Sequence, residues 1–379
     1  MSAELTGDAL ERLVRTVFRP RSTDRRLALM FDLPDTVRPD HDEWADRREL
    51  VADWARKLAR AGARLGLDSV DRVAYRNVRN NNADLPPEAW VVSGAEVPDD
   101  ADRIASPATP MERILDGYEL LIAVTELSAT APLKLAARRF GFRAATMPGF
   151  TRGMIPTLGL DWDEIHQRCV ALAGRLSRAT AAEVRLTAAG RACRLTIDLR
   201  HRSAAASGGL IREPGTVSNL PSGESYIVPY EGEIEGDPSR TSGVLPVRLD
   251  GELLFYRVEA NRAVGVEGDG PVASREAAKV REEPAYANIA ELGLGVLSEY
   301  GIRPVGRTLL DEKLALHIAF GRSDHFGGRV GAAQFSSPEQ VVHVDRVYVP
   351  EMQPGIAVVG VDLIDDDGGE ALIRDGRYV

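Results

Sequence analysis

The chain has 379 residues, enough for two domains at roughly 150 residues each, which excludes a small scaffold held by disulfides. Lys and Arg total 47 against 57 Asp and Glu, and the net charge of −10 repels phosphate backbones, arguing against a nucleic-acid partner. With 44% apolar, 27% charged and 6% aromatic residues, the composition excludes wholesale disorder and fibrous repeats.

The two cysteines, Cys169 and Cys193, stand in no CxxC spacing and read as small buried hydrophobes in a reducing compartment. The N-terminal stretch carries acids early and lacks an unbroken apolar core, so it does not read as a secretory signal. The most apolar later runs, Leu120 to Val124 and Ile356 to Val361, are far shorter than the ~20 residues a bilayer requires. These features predict a cytoplasmic protein without a membrane partner.

In chain order, the apolar run from Arg26 to Pro34 predicts a strand. A helix follows over Trp44 to Leu65, with Trp44, Leu50, Val51, Trp54 and Leu58 at helical spacing. Next come a strand at Val70 to Val78, a polar loop through Asn80 to Pro87, a strand at Tyr118 to Thr125 and a helix at Ala131 to Phe140. This alternation predicts a Rossmann-like parallel α/β sheet. Ser128, Thr130 and Pro132 are residue types that satisfy or omit free amides at a helix start. No GxGxxG or Walker loop follows any of these strands, so a nucleotide site has no support in the sequence. Asn80, Asn81 and Asn82 form either a solvated turn or the polar lining of a cleft.

Beyond Met147-Pro148-Gly149 the pattern changes. A helix at Trp162 to Arg178 leads into alternating segments at Glu183 to Leu186 and Cys193 to Leu199, with Gly and Pro spaced through the remainder. The expected division is an N-terminal α/β domain over 1–154 and a strand-rich α+β domain over 155–379. The run Asp365 to Gly369 reads as an acidic turn, since its spacing lacks the alternating ligands of an EF-hand.

Three of the six histidines, His317, His325 and His343, crowd into the last quarter of the chain. His343-Val-Asp345 lies in a β-like run where residues two apart share a face, so imidazole and carboxylate can converge on an ion; a structural ion pair would have the same spacing. His317, inside the apolar run Leu314 to Phe320, needs a hydrogen-bond partner or a metal to offset its desolvation. Glu224 follows the turn Asn219-Leu-Pro-Ser-Gly223 at the head of a strand. Glu291 sits among apolar and glycine residues, where a carboxylate needs a cation or a strong donor. Carboxylate and imidazole donors without thiolate suit zinc, cobalt or manganese, and three carboxylates neutralise much of the charge of two divalent ions.

The strings NLPSGESYIVPYEGEIEG from Asn219, ELGLG from Glu291, HIAFG from His317, FGG from Phe326 and HVD from His343 occur in an order that resembles the thermophilic-type metallo-aminopeptidases, the aminopeptidase T and aminopeptidase S family. The resemblance covers roughly residues 110 to 379; the first hundred match only in their α/β pattern. It implies that Glu224, Glu291, His317, His343 and Asp345 hold two divalent metal ions; Glu291, between the other ligands in chain order and in an apolar setting, is the candidate for a bridging or near-bridging carboxylate. It also implies a homodimer acting on a peptide or a small amine-bearing substrate. The family places a tyrosine shortly after the HIAxG histidine, whereas this chain offers Asp324 and His325. His325 becomes the candidate for stabilising an oxyanion or carrying protons, the alternative being a surface histidine beside a Gly-Gly turn. A relative on the same scaffold, a ferrous dihydroxypyridine ring-cleaving dioxygenase, uses two His and one Asp around a single iron, has His for the ELGxG glutamate, and lacks the PxG glutamate and the HIAxG histidine, whereas this chain keeps the peptidase set. The expected function is a metal-dependent aminopeptidase-type hydrolase. The alternatives are a mononuclear Fe(II) oxygenase or tailoring enzyme and a non-catalytic metal-binding relative. Pro238 to Gly270 has no counterpart in the motif set.

Overall fold

The computed structural model describes residues 4–94, 97–104, 107–365 and 368–379, with His325 described in its backbone alone. The chain forms two compact units, Met1–His166 with Gly209–Ser222, and Gln167–Gly208 with Gly223–Val379. The fold class is the expected one: an α/β unit on a parallel sheet and a strand-rich α+β unit.

In the first unit, seven strands stand in the spatial order Val217–Asn219, Arg143–Thr146, Leu120–Ala123, Arg26–Leu33, Ser69–Arg76, Glu88–Val92 and Thr109–Pro110. The first five run parallel, and Glu88–Val92 runs the opposite way, pairing antiparallel with the strand on either side of it. Every residue of Arg26–Leu33 after the first is buried, as a strand covered on both faces demands. The helix Asp42–Leu65 buries Trp44, Leu50, Val51, Trp54 and Leu58, the set read from helical spacing, and ends at Gly66 in the left-handed conformation. Burying one such Leu or Val is worth roughly 1.5–3 kcal/mol.

The strand order reverses between Arg26–Leu33 and Leu120–Ala123, a position where open α/β sheets commonly receive anions. Here the chain supplies its own anion. Asp32, 1% exposed, accepts hydrogen bonds from the backbone amides of Glu126 at 2.7 Å and Leu127 at 3.0 Å and from the Trp44 indole at 3.1 Å. Burial pushes its carboxyl up to about 6 despite these donors.

The helix Thr130–Phe140 begins as expected, but its capping differs in origin. Ser128 Oγ accepts from the Thr130 amide at 3.3 Å, while Asn82 Oδ1, from the loop read as a solvated turn, accepts from the Ala131 amide at 3.0 Å. Asn81 Oδ1 takes the Ser128 amide at 2.8 Å. These Asn side chains tie the loop to the helix start, a pairing between distant segments that local composition does not encode.

The second unit holds two antiparallel sheets. Eight strands run in the order Arg262–Glu267, Glu252–Glu259, Ser242–Leu249, Arg191–Asp198, Ala181–Ala188, Ile356–Asp365, Gly368–Arg374 and Arg377–Tyr378. The unmatched segment Pro238 to Gly270 thus supplies three strands at one end of this sheet. Asp366 and Asp367, in the acidic turn, lie outside the described residues. The other sheet has five strands, His343–Val347, Leu316–Gly321, Ile289–Gly295, Glu224–Ile227 and Ala205–Ser207. Cys169 and Cys193 are both buried and free. Among the described residues no helix is long and apolar enough to cross a membrane.

Replacing Asp32 by Ala leaves the Glu126 and Leu127 amides without their acceptor, while the Trp44 indole keeps only the Asp32 backbone carbonyl. The substitution is expected to cost about 1–3 kcal/mol. A fall in the thermal midpoint of several degrees is the measurable outcome; an unchanged midpoint would contradict the anchoring role.

Candidate metal centre

The five-stranded sheet places alternate residues on opposite faces, and its register aligns one face across four strands. That face carries Glu224 and Tyr226, then Glu291, Gly293 and Gly295, then His317, Ala319 and Gly321, then His343 and Asp345. Glu291, Ala319 and Asp345 stand in one cross-strand row, and Tyr226, Gly293 and His317 in another. The intervening Leu292, Leu294, Ile318 and Phe320 are fully buried on the opposite face, where Phe320 packs 5.0 Å from the Tyr256 ring. Alternation of apolar with small or polar residues in ELGLG and HIAFG is therefore the pattern of a strand with one core face and one site face.

The small residues on the site face have a steric purpose. A Cβ added to Gly293 would overlap the imidazole of His317, its cross-strand partner, and one added to Gly295 would overlap the backbone of Lys313 and Ala315. Glycine at 293 lets the His317 ring lie across the neighbouring strand, and glycine at 295 lets the Lys313 to Ala315 backbone pass close by.

All five proposed ligands converge. His317 Nε2 lies 3.2 Å from Glu291 Oε1 and 3.6 Å from Glu224 Oε2. His343 Nε2 lies 3.3 Å from Glu291 Oε2 and 3.4 Å from Asp345 Oδ1. Two donor groups result, Glu224 with Glu291 and His317, and Glu291 with His343 and Asp345, each with its ligand atoms within 4.8 Å of one another. Glu291 belongs to both. The far nitrogens fix the ring orientations: His317 Nδ1 faces the Ala315 carbonyl at 3.2 Å and His343 Nδ1 the Arg322 carbonyl at 2.7 Å, leaving both Nε2 atoms toward the carboxylates.

Burial disfavours ionisation of Glu291, yet the two imidazoles outweigh it and hold its carboxyl below the usual range. Burial also opposes charge on His317, but the Glu291 hydrogen bond and the surrounding carboxylates lift it to about 9. His343 is raised well above its ordinary value against the same opposition, by Asp345 and Glu291. Protons on the two imidazoles thus supply positive charge between three carboxylates.

The donor chemistry fits divalent cations. The set is three carboxylates and two imidazoles without thiolate, and the buried Glu224 Oε2 has no hydrogen-bond partner. Glu224, Glu291 and His317 would hold one ion and Glu291, His343 and Asp345 a second.

Asp324 follows the His317 strand in a short 3-10 turn, and its Oδ1 accepts from Arg322 Nε at 2.5 Å. The side chain of His325 lies outside the described residues. Residues not anticipated from the sequence complete the site. Tyr226, two residues after Glu224 on the same face, packs 4.8 Å from the Phe326 ring, which stands edge-on 5.5 Å from His343. Burial, with Glu224 and Glu291 nearby, pushes the Tyr226 phenol up to about 12. Lys313, 2% exposed, pairs with Glu224 Oε1 at 2.5 Å and with Glu312. The i, i+2 spacing from Glu224 was a signal for Tyr226; the Asp-Glu-Lys triplet before the His317 strand was a weak one for Lys313.

No family model and no curated protein matches this sequence. Several solved structures do, among them two that align along nearly the whole chain. The 2,5-dihydroxypyridine dioxygenase from Pseudomonas putida has 16% identity and a TM-score of 0.62, covering 98% of this chain and 96% of its own. Wild-type AmpT from Thermus thermophilus has 18% identity and a TM-score of 0.55, with 98% of both chains covered. At these identities the likeness is one of fold, and the chain shares that scaffold along nearly its whole length.

Gly293→Ala is expected to displace His317 and weaken Co²⁺ or Zn²⁺ binding by roughly 10-fold or more, with circular dichroism unchanged; wild-type affinity in calorimetry would contradict the steric account. Because the ligating imidazole is the neutral one, a cation must displace the protons on His317 and His343. Affinity should therefore fall toward acid and rise with pH until about 9, where His317 deprotonates, as read from titrations at several pH values.

Proposed function

We propose that the protein is a metal-dependent aminopeptidase-type hydrolase, cleaving an N-terminal residue from a peptide or a small aminoacyl amide. The observation that carries this reading is the sharing of Glu291 between two donor groups that include all five residues of the aminopeptidase pattern. A pair of divalent cations supplies Lewis-acid polarisation of a carbonyl and an acidified water near neutral pH. Glu224, Glu291 and His317 hold one ion, and Glu291, His343 and Asp345 the other. The Ala315 and Arg322 carbonyls keep the two rings aimed inward.

Tyr226 and Phe326 wall the same face with two half-buried rings, suited to orient an apolar group of the substrate against the cluster. Proton transfer in this reading falls to His325, whose type titrates near neutrality, with Asp324 beside it.

A mononuclear iron oxygenase site of the two-His, one-carboxylate kind requires both imidazoles in one donor group. Among the described residues His317 and His343 fall into separate groups, which favours the hydrolase. The test combines elemental analysis with a screen of aminoacyl amides, and oxygen uptake after anaerobic Fe(II) loading. Two zinc, cobalt or manganese ions per chain with amide cleavage is the expected outcome; one iron with oxygen consumption would overturn it. His343→Ala should lower kcat/KM by roughly 100-fold or more while leaving the fold intact, as ligand losses in metal sites do. Near-normal turnover would remove the proposed site.

A further inference from the structure

Positive and negative groups alternate through this part of the second unit. In order they are Glu312, Lys313, Glu224, His317, Glu291, His343 and Asp345, each within ion-pair distance of the next. Two of the three positive places are imidazoles, which a metal displaces from their protons. The third is Lys313, which offers no lone pair while charged and marks where the cation sites stop.

The choice of lysine is unusual for this chain. Of its 47 Lys and Arg residues only Lys57, Lys134, Lys279 and Lys313 are Lys. A guanidinium is a planar fork that engages both oxygens of a carboxylate, whereas an ammonium is a compact donor that can take one. Lys313 takes Glu224 Oε1 and leaves Oε2 buried, without a hydrogen bond and 3.6 Å from His317 Nε2. Its backbone is fixed as well, its carbonyl accepting from the Leu297 amide at 2.9 Å beside Gly295, where no side chain fits.

We propose that Lys313 is a positioning residue that makes Glu224 a one-oxygen donor and so builds the Glu224, Glu291 and His317 pocket for a single divalent cation. This rests on the metal reading of the site given above. Lys313 is a fixed cation at the end of the row, which orients Glu224 for the metal and is not itself displaced by it.

The test is Lys313→Met, close in length but uncharged, with Glu312→Gln as its companion, titrated with Co²⁺ by calorimetry and checked by elemental analysis after dialysis. Wild type should take two ions. Lys313→Met should keep one at unchanged affinity and bind the other roughly 10- to 100-fold more weakly, the usual effect of losing a group that orients a ligand. Glu312→Gln, which leaves Lys313 on Glu224, should retain both ions. Two ions at wild-type affinity in Lys313→Met would overturn the inference and leave the metal site standing; a wild type that binds none would bring down both. Should Lys313→Met not fold, ¹⁵N-lysine spectra of the wild type decide, since the chain has only four lysines to assign. The Lys313 ammonium signal is expected to persist in slow exchange after Zn²⁺ saturation. Its loss on loading would mean that the metal displaces Lys313 from Glu224, against the proposal.

Discussion

The buried carboxylate of Glu291 is the constraint on which the second unit's site depends. It is 3% exposed, and each of its oxygens faces a different imidazole. A carboxylate so far from water persists only where positive groups surround it. The next two strands on one side of it must therefore each deliver an Nε2 to a different oxygen, and the Glu291 strand itself, which lies between them and Glu224, must carry nothing that blocks the approach. The glycines of ELGLG and the alanine of HIAFG meet that demand, and the carbonyls behind each ring hold the orientation. Three acids there face two histidines and the Lys313 ammonium that sits on Glu224.

The same backbone serves proteins whose names describe different chemistry, a dioxygenase and AmpT, and the fold by itself does not choose between them. The choice lies in side chains on one face of a five-stranded sheet. Changing a glutamate to histidine at the shared position would alter the charge of that face. The rest of the sheet, being apolar on its other side, need not change.

Much of this was legible along the chain. The Arg26–Leu33 strand and the helix after it announce themselves through apolar runs and helical spacing, and Glu291 through a carboxylate set among Leu and Gly. Those signals are local. What local patterns did not carry are the pairings across distance: Asn82 capping the helix at Thr130, Asp32 filling the amides at Glu126 and Leu127, and Lys313 meeting Glu224. Polar side chains advertise that they need a partner, while the identity of that partner is set by the fold. Val217–Asn219 belongs to the same class. As a short stretch before a proline turn it has no strand pattern of its own, and it becomes a strand by pairing with Ala144 to Thr146.

That last pairing bears on how the protein is made. The edge strand of the first unit is encoded after Gln167–Gly208, which belongs to the second. A nascent chain that has emerged only through His166 exposes the backbone of Arg143–Thr146 as an unpaired parallel edge, a surface prone to recruit other strands. Completion of that sheet waits until residues 217–219 leave the ribosome, and Glu224 follows almost at once. Folding of the first unit and arrival of Glu224 are thus linked in time by a few residues of chain, and a fragment cut at the apparent domain boundary would lack the edge strand of its own sheet.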